Sequence, residues 1–203
     1  MRILLAVSMA LLACGLGCTN NKDTSPAQTS AVNTVTTDTA VVAADSAKSA
    51  MADIHGAGDT HDAIKGMAMF TAVNGGVKIV VDVSGLKPGK HGIHIHEKPD
   101  LSDPKLLSAG GHFNPDDADH KHAGPNDPKR HAGDLGNIEI DDNGHGHLDL
   151  TDDALTVEGP HGVVGHSIII HEKEDDLKTQ QPPGNAGGRV AGGVIVLATD
   201  GQK

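Results

Sequence analysis

Two histidines separated by one isoleucine, His94-Ile95-His96, are the first residues in this chain whose spacing constrains chemistry. On a β-strand, positions two apart share a face and are separated by about 6.5–7 Å of rise. Both imidazoles can therefore reach one ion while Ile93 and Ile95 turn into a core. Further candidates follow: His112 and His122, then His131 with Asp134 three residues on, then His171 at the end of an isoleucine-rich run. Imidazole is the commonest protein ligand for transition metals, and these six histidines and one aspartate divide into two sets. Three imidazoles and a carboxylate, from His112, His122, His131 and Asp134, suit a closed tetrahedral zinc site. Four imidazoles, from His94, His96, His112 and His171, suit copper, which accepts tetragonal nitrogen ligation and cycles between two oxidation states. His112 belongs to both sets because imidazole has two nitrogens and a deprotonated ring can bridge two cations; the spacing permits that bridge. A competing reading takes His-x-His and one more histidine as a zinc hydrolase site with an open, water-activating position.

The composition supports metals and excludes one class of partner. The 203 residues include 14 His against two Phe and no Trp or Tyr, and the formal net charge is −11. Without a cationic footprint or aromatic stacking platforms, no nucleic-acid partner is expected.

The elements that must position these histidines read as strands. Between Asp62 and Asp200 there are 21 Val or Ile against 10 Leu, broken every ten residues or so by Gly, Pro, Asn or Asp, the texture of an all-β domain. Strands are predicted at 64–73, 77–83, 91–97, 136–141, 145–150, 167–171 and 192–198, with an edge strand near 50–54. Asn74-Gly75-Gly76 and Asp142-Asn143-Gly144 are hairpin-turn sequences. Residues 98–135 and 172–189 lack strand character, and loops this long in a compact β domain usually carry function.

The start of the chain differs in kind. Met1 and Arg2, an apolar run over 3–12 and small residues up to Cys18 have the charged and hydrophobic regions of an export signal. Cys18, or Cys14 with the better local pattern, is the lipidation candidate; cleavage at Cys18 leaves no odd thiol. Residues 19–50 are rich in Thr, Ser and Ala and read as a disordered tether spanning roughly 30 Å. The domain is assigned to 51–203. The localisation expected from this pattern is the periplasm or cell envelope, with the chain anchored to a membrane through lipid.

Longer motifs carry a resemblance. Gly89-Lys90-His91-Gly92-Ile93-His94-Ile95-His96-Glu97, Ser108-Ala109-Gly110-Gly111-His112-Phe113-Asn114-Pro115, His131-Ala132-Gly133-Asp134-Leu135-Gly136-Asn137 and Gly184-Asn185-Ala186-Gly187-Gly188-Arg189 occur in this order, with Ile170-His171-Glu172-Lys173 between the last two. In these motifs the chain resembles the Cu,Zn superoxide dismutase family. The resemblance implies a Greek-key β-barrel of about eight antiparallel strands with two long functional loops. It implies copper at His94, His96, His112 and His171 and zinc at His112, His122, His131 and Asp134. The implied activity is dismutation of the superoxide anion to dioxygen and hydrogen peroxide, by a redox-cycling copper bridged through His112 to a structural zinc. Asp175 is then the carboxylate linking ligands of the two metals, and Arg189 the substrate-guiding arginine, which must act locally because the whole chain is anionic.

Departures from the family pattern qualify these expectations. The positions matching the family's disulfide are Leu106 and Gly192, which puts the rigidity of the metal-bearing loop in question. A copper- and zinc-binding storage or delivery protein with little turnover is the alternative function, and the chain is expected as a monomer or homodimer. His122 is preferred to His120 because His-Ala-Gly-Pro fits the pattern better. His91 reads as a structural histidine, and His145, His147, His161 and His166 as solvated or capping residues. His55 and His61 sit near the tether's end, where transient copper collection is conceivable.

Overall fold

The computed structural model describes residues 48–116, 120–181 and 183–199. The readings of the export segment, Cys14, Cys18 and residues 19–47 of the tether lie outside them. Nine strands follow in order: β1 (Ser49–Gly56), β2 (Lys65–Val73), β3 (Gly76–Ser84), β4 (Gly89–His96), β5 (Asp134–Ile140), β6 (His145–Asp152), β7 (Ser167–His171), β8 (Arg189–Val194) and β9 (Val196–Leu197). The sheet runs β2-β3-β6-β5-β4-β7-β8-β1, and β1 also pairs with β2, which closes it. β8 and β9 both pair with β1 on either side of a break at Ile195, so they act as one stave of an eight-stranded antiparallel barrel. β3 lies beside β6 and β4 beside β7; the connections leaving β3 and β6 therefore each skip two strands, which is Greek-key topology.

Local chemistry explains the strands. β3 alternates buried Val77, Ile79, Val81 and Val83 with partly or fully exposed neighbours, the period-two pattern of a sheet with one face dry. The β2–β3 turn uses Gly75 and Gly76, both at positive φ. The β5–β6 turn is held by the Asp141 carboxylate, which accepts from the backbone N–H groups of Asn143 and His145 at 2.9 and 2.8 Å. Inside lie Phe70, Ile79, Ile93, Ile95, Ile138, Ile168 and Ile170, all fully buried. Each such side chain contributes about 1.5–3 kcal/mol on leaving water.

Most strand ends differ from the sequence reading by one to three residues, the largest shift being β8, which starts at Arg189 and not at 192; three differences bear on the barrel and the site. β1 takes in Ser49 and Ala50, assigned above to the tether, because they pair with Thr71 and Phe70 of β2. The expected edge strand is no edge: β1 is paired on both sides. β5 starts at Asp134, two residues early, through an irregularity in which Gly92 faces Asn137 but His94 faces Asp134. A residue is bulged there, with Gly136 at φ 90°, and a bulge re-aims the side chains beside it.

The two long connections, 97–133 and 172–188, fold over the same region of the barrel. The first is anchored by Arg130, which is 5% exposed. Its Nε donates to the carbonyl of Pro125 and its Nη1 to those of His131 and Ala132, all at 2.9 Å. Its Nη2 meets Asp152 Oδ2 of β6 at 2.6 Å. The same connection contains Leu106 in the left-handed region at φ 57°, a conformation that costs a non-glycine residue roughly 1–2 kcal/mol.

Candidate metal centre

Both faces of β4 are buried. Ile93 and Ile95 enter the core, while His94 and His96 point the other way and are nevertheless inaccessible to water, because the long connections cover them. His171 ends β7, and the strand pairing sets His94 beside Ile169 and His96 beside Ser167. His112 forms an isolated antiparallel bridge with His96. Ligand atoms of His94, His96, His112 and His171 lie within 4.8 Å of one another, and all four residues are buried.

In three of these rings, His94, His96 and His112, a hydrogen bond on one nitrogen prepares the other. His94 Nε2 donates to Asp175 Oδ2 at 2.6 Å, and its Nδ1 is buried without a partner. His96 Nδ1 donates to the Gly110 carbonyl at 3.0 Å, which leaves Nε2 as a bare lone pair 3.4 Å from His171 Nε2. His112 Nδ1 meets Asp134 Oδ1 at 2.6 Å and leaves its Nε2 for the histidine group. Lone pairs fixed by a bond on the far side of the ring are what a metal needs from histidine. Orphaned buried nitrogens are otherwise costly.

Asp134 organises a second group. Its carboxylate receives His112 Nδ1, His122 Nδ1 at 3.0 Å and the backbone N–H groups of Ala123 and His131, each at 3.2 Å. His131 Nδ1 stands 3.4 Å from Asp134 Oδ2. Ligand atoms that converge within 4.8 Å here belong to His94, His112, His122 and Asp134. His131, expected from the sequence as the third imidazole, is one step farther out. His94 is near because its ring centroid lies 4.0 Å from that of His112. Its Nε2, however, is engaged by Asp175, whereas His131 Nδ1 is buried and carries no hydrogen bond.

Asp175 joins the two groups, with Oδ2 on His94 and Oδ1 on His122 Nε2 at 2.9 Å. Asn137 of β5 orients it: its side-chain amide donates to the Asp175 carbonyl at 3.0 Å and its oxygen accepts from the Asp175 backbone at 2.7 Å. Gly184 must lack a side chain, since a Cβ there would fall 2.1 Å from Asp175 Oδ1.

The remaining candidates separate cleanly. His122, and not His120, is in the cluster. His91 bonds the carbonyls of His171 and Lys87 at 2.7 and 2.9 Å. His147 meets Asp82 on the outer face, His161 meets Asp116, and His166 bonds the Glu97 carbonyl. His55 and His61 stack on each other with centroids 4.6 Å apart, away from both groups. Sequence reasoning missed Arg130, Asp152 and the carbonyls of Leu106 and Gly110. A buried ion pair between a loop and a distant strand, or a backbone acceptor, leaves no periodic signal.

Burial, then the nearby charge of His94, lowers the pKa of His112 to about 4 and of His171 to about 2. Burial also opposes charging His122, but its hydrogen bonds to Asp134 and Asp175 outweigh that and raise it to about 9. Asp134 and Asp175, despite burial, are held well below the usual carboxylate range by the histidines that donate to them. In the metal-free protein, His112 and His171 have folded values below the unfolded value of about 6.5, so acidification below that point protonates the unfolded chain first and removes stability. His122 contributes fully below about 6.5, and its contribution is lost as pH rises toward about 9. The metal-free melting temperature is therefore expected to peak near pH 6–7 and to fall on both sides. Thermal scans from pH 4 to 10 check this, and a monotonic trend contradicts it.

The fold and site define a class. The family model for copper/zinc superoxide dismutase (SODC) matches residues 64–195, and the chain belongs to that family. It is 45% identical over 139 residues to the extracellular superoxide dismutase (Cu-Zn) of Drosophila melanogaster, covering 65% of this chain and 75% of that one. It is 40% identical over 144 residues to superoxide dismutase (Cu-Zn) 5 of Dictyostelium discoideum, covering 68% and 93%. Among solved structures, the crystal structure of the clock protein EA4 matches with a TM-score of 0.67 at 43% identity, covering 75% of this chain and 96% of that one.

Proposed function

We propose that this chain converts two superoxide anions and two protons to dioxygen and hydrogen peroxide, with copper held by His94, His96, His112 and His171 and zinc by His112, His122, His131 and Asp134. The observation that carries the reading is the pair of buried groups that both contain His94 and His112, with His94 Nδ1 and His131 Nδ1 left without hydrogen bonds. Copper, when bound, would supply one-electron redox cycling, and zinc a fixed positive charge. The chain's own residues do the rest. Asp134 holds His112 by Nδ1, so the Nε2 side is the position at which this ring can take up and give back a proton. Arg189 carries a half-buried guanidinium whose Nη2 donates to the Gly110 carbonyl at 2.6 Å. His96 Nδ1 donates to that same carbonyl. A fixed cation is thereby placed one shared acceptor from the copper group, a local attraction for an anion in a chain of net charge −11.

Loading with one copper and one zinc per chain, followed by pulse radiolysis, tests this. Turnover far above that of free copper is expected, with a tetragonal Cu(II) signal in electron paramagnetic resonance; turnover no faster than free copper overturns it. Replacing Asp175 with asparagine is expected to weaken zinc binding about 10–100-fold, read by chelator competition, because the amide cannot accept from both His94 and His122 as the carboxylate does. The proposal extends to placement: residues 1–18 direct export, Cys18 or Cys14 takes the lipid, and 19–48 hold the barrel off a membrane of the cell envelope. Mass spectrometry of the mature N-terminus checks it, a diacylated Cys18 being the expected species.

A further inference from the structure

The connection that carries Gly110 and His112 has no covalent tie to the barrel, since both cysteines lie at positions 14 and 18. Leu106 stands where such a tie would act. Its side chain is 6% exposed and packs with Ala109 and with Ile169, at the middle of β7, in a small apolar cluster separate from the main core. Across from it is Gly192 of β8. A Cβ on Gly192 would fall 3.3 Å from Leu106 Cδ1 and 2.7 Å from Ile169 Cδ1, so the glycine leaves room for the leucine. The Leu106 backbone is left-handed, at φ 57° and ψ 23°. A bulky residue stays there only where its surroundings over-determine it; the Asp103 carbonyl and carboxylate accept from the N–H groups of Leu106 and Leu107 at 2.8 and 3.1 Å, and burial of the leucine side chain ties that turn to the barrel. Its carbonyl, turned the other way, accepts from Arg189 Nη1 at 2.6 Å, while Nη2 is held by Gly110.

We propose that Leu106 is a positioning residue for Arg189. Its side chain latches the 101–110 segment onto β7 and β8, and the left-handed turn this imposes aims two carbonyls at the guanidinium and holds it still. The consequence for anion capture rests on the reading of Arg189 given above, so two measurements are paired. Nitrogen-15 NMR of the Arg189 guanidinium in the metal-free protein reads the latch alone. Azide titration of the copper- and zinc-loaded protein reads the anion guide.

In the wild type, two bonded Nη groups give distinct, slowly exchanging signals; a freely rotating Arg189 overturns the proposal before any variant is made. In Leu106→Ala those signals merge and the azide dissociation constant rises about tenfold, at unchanged metal content. Leu106→Met, which conserves volume and is expected to fold, restores both. Leu106→Gly decides the cause: glycine adopts the left-handed backbone freely but has no side chain to latch, so it behaves as the alanine variant. If it keeps distinct Arg189 signals, the turn holds itself and the proposal is wrong. Merged signals with unchanged azide affinity support the latch and overturn the reading of Arg189.

Discussion

Replacing His112 with alanine is expected to lower dismutase activity on the order of 10³-fold or more, beyond the 10–100-fold typical of losing a residue that only supports a ligand. The expectation follows from its place in both buried groups. Its Nδ1 is the 2.6 Å partner of Asp134, and its ring lies 4.0 Å from that of His94. Without it, Asp134 loses one of the donors that hold it ionised, and the other group retains only His94, His96 and His171. Elemental analysis should find less of both metals, zinc being left with His122, Asp134 and the looser His131. A variant that keeps one copper, one zinc and activity within tenfold of wild type contradicts the assignment of His112 as the shared ligand.

The second large effect falls on stability. Arg130→Met leaves the Asp152 carboxylate without its cation and takes a donor from three carbonyls, of which His131's keeps the Asp134 N–H at 3.0 Å, in surroundings where Arg130 and Asp152 are 5% and 4% exposed. Breaking a buried pair from one side costs about 3–5 kcal/mol, which for a domain of this size lowers Tm by roughly 10 °C. The metal-free protein shows the effect best, because bound metal would add its own stabilisation of the same loop. Combining Arg130→Met with Asp152→Leu removes the stranded charge and should recover much of the loss; a double variant less stable than the single one sinks the explanation. Because Arg130 bonds the carbonyl of His131, the single variant should also weaken zinc binding.

The strands were legible because their information is local. Alternation over 77–83, turn glycines at 75, 76 and 144, and the two-residue period of His94 and His96 are short-range patterns, and the structure keeps each of them. His122 was separable from His120 only through the resemblance, because His122-Ala123-Gly124-Pro125 fits the family's pattern. What escaped depends on residues far apart in the chain: Arg130 reaching Asp152, Leu106 finding Ile169 and Gly192, and His94 lying close enough to His112 to enter the second group. β1 looked like an edge because nothing within 49–56 announces that β2 and β8 will flank it. The early start of β5 likewise required a bulge at Gly136, which pairing with β4 creates.

The two-sided pairing of β1 has a mechanical consequence. Seven of its residues face β2, from Ser49 opposite Thr71 to His55 opposite Lys65; Ala50, Met51 and His55 also face β8 or β9, and Gly56 faces β8 alone. Ladder bonds run perpendicular to the strands, so tension entering through residue 48 loads them together in shear instead of opening them one by one. A pull on residue 48 along the strand is therefore shared by both ladders of β1.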